Sequence, residues 1–175
     1  KSKMKRLFEI FLLAGCLAGC NNPAHEAEAV KTVASAEVSV MPSAHHVSLG
    51  SVSVEIPLQW NVHEQDETSI SYVNHTENNL ILLTKENCDN TYNFCMTKML
   101  DDITNSGVSV LKTSHVTINS LDMIEVESLH EDIQLHSWLY YYRESSYVLS
   151  CGGFEKNAEE NSTLCNEIMY SFHAK

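Results

Sequence analysis

From Val108 to Cys151 the chain reads as strands joined by turns that admit only antiparallel neighbours. The candidates are Val108 to Leu111 running on to Thr117, Leu121 to Leu129, Gln134 to Arg143 and Tyr147 to Cys151. Each is apolar or alternating, as a strand with at least one covered face requires. Asn119-Ser120, Glu131-Asp132 and Glu144-Ser145-Ser146 break the runs with turn-forming polar residues. A parallel crossover takes a dozen or more residues, so these gaps fit only chain reversals. An antiparallel meander is therefore the frame that the rest of the chain must extend and cover.

The upstream half supplies more strands. Val52, Val54 and Ile56 alternate with Ser51, Ser53 and Glu55 until Pro57, and Trp60 to Val62 reads as a second short strand. Glu64 to Thr68 is a polar turn. Ile70 to Val73 and Leu80 to Leu83 flank Glu77-Asn78-Asn79 as a hairpin. Leu80 to Leu83 has no alternation, which places it centrally with both faces covered. Two segments carry helical spacing instead. Tyr92 to Thr104 has Phe94 or Cys95, then Met99, Leu100 and Ile103; Ala158 to His173 has Leu164, Cys165, Ile168, Met169 and Phe172. The expected fold class is α+β: an antiparallel sheet of about six or seven strands covered by helices, in one domain from Val47 to Lys175. Its length of about 130 residues suffices for a core of its own.

Ahead of the domain the composition changes. Lys3, Lys5 and Arg6 precede an apolar run from Leu7 to Leu13, and Leu17-Ala18-Gly19-Cys20 has the form of a lipobox. The apolar run falls short of the roughly 20 residues that a spanning helix needs. Residues 1–19 are expected to act as a lipoprotein signal peptide, with Cys20 as the acylated residue. A second tetrapeptide, Leu13-Ala14-Gly15-Cys16, would leave a cramped apolar region. Asn21 in place of an aspartate resembles an outer-membrane address. Residues 20–46, with Pro23 and Pro42 and no aromatic side chain, read as a flexible spacer. His45-His46 close it, and neighbours in a strand would point to opposite faces.

Lipidation at Cys20 places the domain in an oxidising compartment and leaves Cys88, Cys95, Cys151 and Cys165. Four cysteines there imply two disulfides with three connectivities. The local pairs Cys88–Cys95 and Cys151–Cys165 are favoured. The second would close a loop of about 15 residues, worth about 3 kcal/mol by chain entropy. A four-cysteine zinc site would want tight CxxC pairs, which are missing.

Charge removes one class of partner. From Cys20 onward the chain carries seven Lys and Arg against 22 Asp and Glu. That excess repels phosphate backbones and anionic headgroups, so nucleic acid is excluded and the membrane tether must be covalent or apolar. No GxSxG, HExxH, CxxC, P-loop or dinucleotide fingerprint is present. No catalytic residue, cofactor, metal or small-molecule substrate is assigned. His130 and His136 flank a turn and, with Glu131 and Asp132, would make at most a weak divalent site. The run Trp138-Leu139-Tyr140-Tyr141-Tyr142 puts Trp138, Tyr140 and Tyr142 on one face. Those rings form either the core under a helix or a partner surface.

Ile56-Pro57-Leu58-Gln59-Trp60, the internal helix, the meander and a last strand feeding a helix that ends Tyr170-Ser171-Phe172 together resemble the PsbP-like domains. The resemblance implies an antiparallel sheet sandwiched between helices, in a family that includes an extrinsic photosystem subunit, a nuclear-transport cofactor and small bacterial lipoproteins. It implies a non-catalytic binding or assembly role and carries no catalytic residue. The expected function is that of a lipid-anchored periplasmic domain binding another envelope protein, as a component or assembly factor of an envelope or secretion complex. The alternative is a periplasmic immunity or inhibitor protein against a basic toxin or hydrolase.

Overall fold

The computed structural model describes residues 31–33, 43–75 and 79–175. Residues 1–30, including the lipobox and Cys20, lie outside it, as do residues 34–42 of the expected spacer and 76–78 of the Glu77-Asn78-Asn79 turn. The strands are β1 (Lys31–Val33), β2 (Ala44–Leu49), β3 (Val52–Pro57), β4 (Asn61–Gln65), β5 (Ser69–Asn74), β6 (Asn79–Asn87), β7 (Ser109–Ile118), β8 (Leu121–His130), β9 (Ile133–Tyr142), β10 (Ser145–Phe154) and β11 (His173–Ala174). Helix α1 (Tyr92–Asn105) separates β6 from β7, and α2 (Ala158–Tyr170) follows β10 through a 3₁₀ turn at Glu155–Asn157. Among the described residues no helix is long and apolar enough to cross a membrane.

The meander stands as expected and sits in a large sheet of order β1-β7-β8-β9-β10-β6-β5-β4. All its pairings from β7 to β4 are antiparallel, and three-residue β1 adds in parallel at the β7 edge. Its hairpin loops have two residues each: Asn119-Ser120, Glu131-Asp132 and Arg143-Glu144. Asn119, Ser120, Arg143 and Glu144 all have positive φ, which matches a two-residue reversal to the twist of its strands. Arg143 therefore belongs to the turn and not to the strand expected to end with it, and Ser145 and Ser146 belong to β10.

β2 and β3 do not join the large sheet. β2, β3 and β11 form a separate sheet of order β11-β3-β2. β2 begins at Ala44, so His45 and His46 are strand residues. The expected opposition holds: His45 Nε2 lies 3.3 Å from the Leu58 carbonyl, while His46 Nδ1 meets Glu55 Oε1 at 2.7 Å. The last helix stops at Tyr170, where Ser171 donates its hydroxyl to the Ile168 carbonyl. That frees His173–Ala174 to pair with Ser53 and Val52.

The layers follow from which faces are apolar. The small sheet and α2 cover one face of the large sheet: Val47, Val52, Val54 and Ile56 pack with Cys165, Ile168, Met169 and Phe172 against Trp138, Tyr140, Tyr147 and Leu149. On the other face α1 lays Met96 and Met99 on Ile124, Val126 and Leu139. Leu80 and Leu83 are buried on opposite faces, as a central strand demands. Both favoured disulfides are present, Cys88–Cys95 and Cys151–Cys165.

Candidate functional site

Two places gather polar or aromatic groups, one interior and one exposed. The first is a pair of cross-strand rows, buried at β9 and β10 and reaching the surface at Lys112. Lys112, Glu127, His136 and Cys151 lie side by side across β7 to β10. Lys112 Nζ is 3.3 Å from Glu127 Oε1. In the next row Glu125 faces Trp138. Burial and the neighbouring Glu127 carboxylate push the Glu125 carboxyl up from its ordinary value. Burial draws the His136 imidazole down, against the opposing pull of Glu127.

One row further on, Gln134 stands opposite Gly153, with Asn79 and Asn161 converging above that glycine. A Cβ at Gly153 would collide with the Asn79 side-chain oxygen and crowd Asn161 Nδ2, so the glycine is what lets α2 approach here. Asn161 Nδ2 donates to the Phe154 carbonyl at 3.0 Å. Among the described residues, Asn79 Oδ1, Gln134 Oε1 and both ring nitrogens of His136 have no hydrogen-bond partner. His136 is only 4% exposed, so its ring is closed off from solvent.

His130 and His136 are not brought together. His130 lies opposite Ile133 with Nδ1 3.3 Å from the Gly107 carbonyl, whereas His136 stands three pairs away, opposite Glu127. Among the described residues no three His, Cys, Asp or Glu side chains group as metal ligands.

Of the two readings of the aromatic strand, core or partner surface, its buried rings take the core. Trp138 and Tyr140 are core residues at 2% and 7% exposure, and half-buried Tyr142 packs against them. Tyr140 stacks on Tyr142 at 6.0 Å and meets Phe172 edge-on at 5.7 Å. Helix α2 and the small sheet both need an apolar bed, and this face is it.

The exposed place lies at the end of the sheet where β9 turns into β10 and β6 leads into α1. Tyr92 and Phe94, on the first turn of α1, are 42% and 53% exposed. Tyr92 meets half-buried Tyr141 edge-on at 6.0 Å. The Tyr141 hydroxyl donates to the Asn90 carbonyl at 3.1 Å. Thr91 caps the helix by accepting the Phe94 amide, and Cys88–Cys95 ties the loop to the same turn. These constraints hold the rings in place without burying them. Burial, and after it the Asp122 carboxylate, raises the Tyr92 phenol. Arg143 rests 4.9 Å over the Tyr142 ring.

Phe94 had two readings in the helical stripe, and the structure settles on Cys95. The buried face is Cys95, Met96 and Met99, and Phe94 points outward. A large apolar residue out of phase with its own helix stripe was the one signal in the sequence for this surface.

No family model and no curated protein matches the chain. Solved structures do. The cyanobacterial PsbP protein of Synechocystis sp. PCC 6803 matches with a TM-score of 0.58 at 11% identity, over 81% of this chain and 98% of its own. The fold is PsbP-like. A Bacteroides thetaiotaomicron structure aligns at TM-score 0.55 and 16% identity over 77% of this chain, which spans 49% of that longer protein. A Pseudomonas aeruginosa protein described as a putative regulator of unknown function aligns at 0.53 and 11% identity, over 76% of this chain and 98% of that one. At these identities the PsbP-like match carries the architecture and nothing finer.

Proposed function

We propose that this chain is a lipid-anchored, non-catalytic binding module. Acylated at Cys20 and held in the bacterial envelope, most simply at the outer membrane, its domain docks another envelope protein through the Tyr92–Phe94 end of the sheet. The observation that carries the reading is two large exposed rings fixed by a disulfide and a helix cap. Rigid aromatic side chains contribute large contact area at low entropic cost, which is why they dominate interfaces. The lipobox and the two disulfides support the compartment. Carboxylates flank the rings: Asp122 acts on Tyr92, and Asp89 and Glu144 lie on the adjoining loops. The fitting partner surface therefore presents aliphatic stems ending in Lys or Arg. The role in a multiprotein envelope or secretion complex follows from the anchor together with this docking face.

Affinity capture from detergent extracts of the acylated protein tests this, comparing wild type with Tyr92→Ala/Phe94→Ala. The double variant is expected to lose the partner by at least about tenfold while folding normally, since such exposed sites cost roughly 0.5 kcal/mol or less of stability each. Capture unaffected by the double substitution sinks the surface. A second reading, an immunity or inhibitor protein against a basic toxin or hydrolase, draws on the opposite end. There Glu131, Asp132, Glu155, Glu159 and Glu160 lie on the β8–β9 turn and the start of α2, with Glu155 N donating to the Asp132 carbonyl. Partner binding that survives Tyr92→Ala/Phe94→Ala but vanishes with Glu155→Gln/Glu159→Gln/Glu160→Gln selects it.

A further inference from the structure

The segment ahead of the domain was expected to be spacer throughout, yet Lys31–Val33 lies on the large sheet. It pairs in parallel with His115, Val116 and Thr117. β7 would otherwise be the outer edge of this sheet, and an open edge invites another strand. The geometry of β7 shows which groups are available. Asn119-Ser120 is a two-residue loop, so Ile118 and Leu121 exchange both of their hydrogen bonds. By alternation the amides of His115 and Thr117 then point away from β8, toward Lys31–Val33.

We propose that Lys31–Val33 is a strap that sets how far the domain can stand from the bilayer. This rests on Cys20 being the anchor. With the strap docked, ten residues separate Cys20 from Lys31, a span of at most about 35 Å. With it released, the span from Cys20 to Ser43, where the described fold resumes, reaches roughly 75 Å. Three paired residues gain few hydrogen bonds against the entropy of ordering them, so docked and released forms lie close in free energy and a partner can tip the balance.

The test uses the full acylated protein in lipid nanodiscs, as wild type, Thr32→Pro and Thr32→Val. Proline removes an amide from the strap, while valine keeps the backbone and the β-branching. A strap docked nine-tenths of the time slows amide exchange at His115 and Thr117 by roughly tenfold. Thr32→Pro is expected to abolish that protection and to raise the lipid-to-domain distance, and Thr32→Val to leave both unchanged. His115 and Thr117 exchanging equally in wild type and Thr32→Pro overturns the strap whether or not Cys20 carries lipid. Altered exchange with no change in distance overturns its role in reach. A Cys20 without acyl mass removes the anchor, and with it the membrane role, while the exchange result still decides whether the strap docks.

Discussion

Half-buried Glu125 and buried His136 show how two titratable residues set opposite pH dependences. Burial and Glu127 raise the Glu125 carboxyl above 4.5, so the folded state holds that proton more tightly than the unfolded chain does. Stability from this group is present at low pH and is lost as pH rises through 4.5 to the higher folded value. Glu125→Gln is therefore expected to raise Tm at pH 7; a Tm that falls there, after correction for any lost contact to Trp138, counts against a penalised charge. His136 is lowered from 6.5, so its stability is present above 6.5 and is lost as pH falls below it toward the folded value. His136→Phe should flatten the decline of Tm between pH 6.5 and 5 relative to wild type, as read by thermal melts across that range. Gly153→Ala places a methyl against Asn79 and Asn161 and is expected to cost about 1–3 kcal/mol in denaturant unfolding.

At the scale of elements, α1 and α2 are each held twice, by an apolar stripe and by a disulfide. Cys151–Cys165 joins β10 to the middle of α2 across the core, with both residues buried. Replacing both by alanine is expected to cost about 2–4 kcal/mol, visible as a lower midpoint in urea. Cys88–Cys95 closes a shorter loop at the molecule's end, and its loss should cost less stability but loosen the Tyr92–Phe94 turn. Amide exchange confined to residues 88–96 would report that loosening. The elements themselves were largely readable. The meander and both helices could be placed from periodicity because hydrophobic spacing is a local property. β4 was harder: all of Asn61–Gln65 is exposed, so no alternation marks it, and it is defined by pairing with β5. Its end is set by Asp66, whose carboxylate accepts from the Thr68 and Ser69 amides.

For the whole molecule, stability is concentrated in the interface between the large sheet and the layer of α2 with the small sheet. Trp138→Ala, at its centre, is expected to cost about 3–5 kcal/mol, against well under half of that for Tyr142→Ala at its margin. Similar losses for the two, measured by denaturant titration, would mean that Tyr142 is as deeply packed as Trp138. The same layering decides what is left for function. Both faces of the sheet's central strands are covered, so Trp138, Tyr140 and Tyr147 are spent on the core, and the ends and the β7 edge remain for contacts.

The sequence by itself determined the fold class, the run of antiparallel hairpins and the two helices, because each depends on residues near one another along the chain; of three possible disulfide connectivities it favoured the local one, and the structure decided it. It also specified the alternation by which Trp138, Tyr140 and Tyr142 share a face. Only the tertiary structure decided that this face is interior, since burial depends on what packs above it from 20 or more residues away. It likewise split β2, β3 and β11 from the large sheet, for strand pairing partners are chosen by three-dimensional proximity and leave little mark on a strand's own residues. Phe94 is the residue on which the two levels meet. Its place in the helix was readable, and its outward direction was settled by Cys95, Met96 and Met99 taking the sheet-facing side.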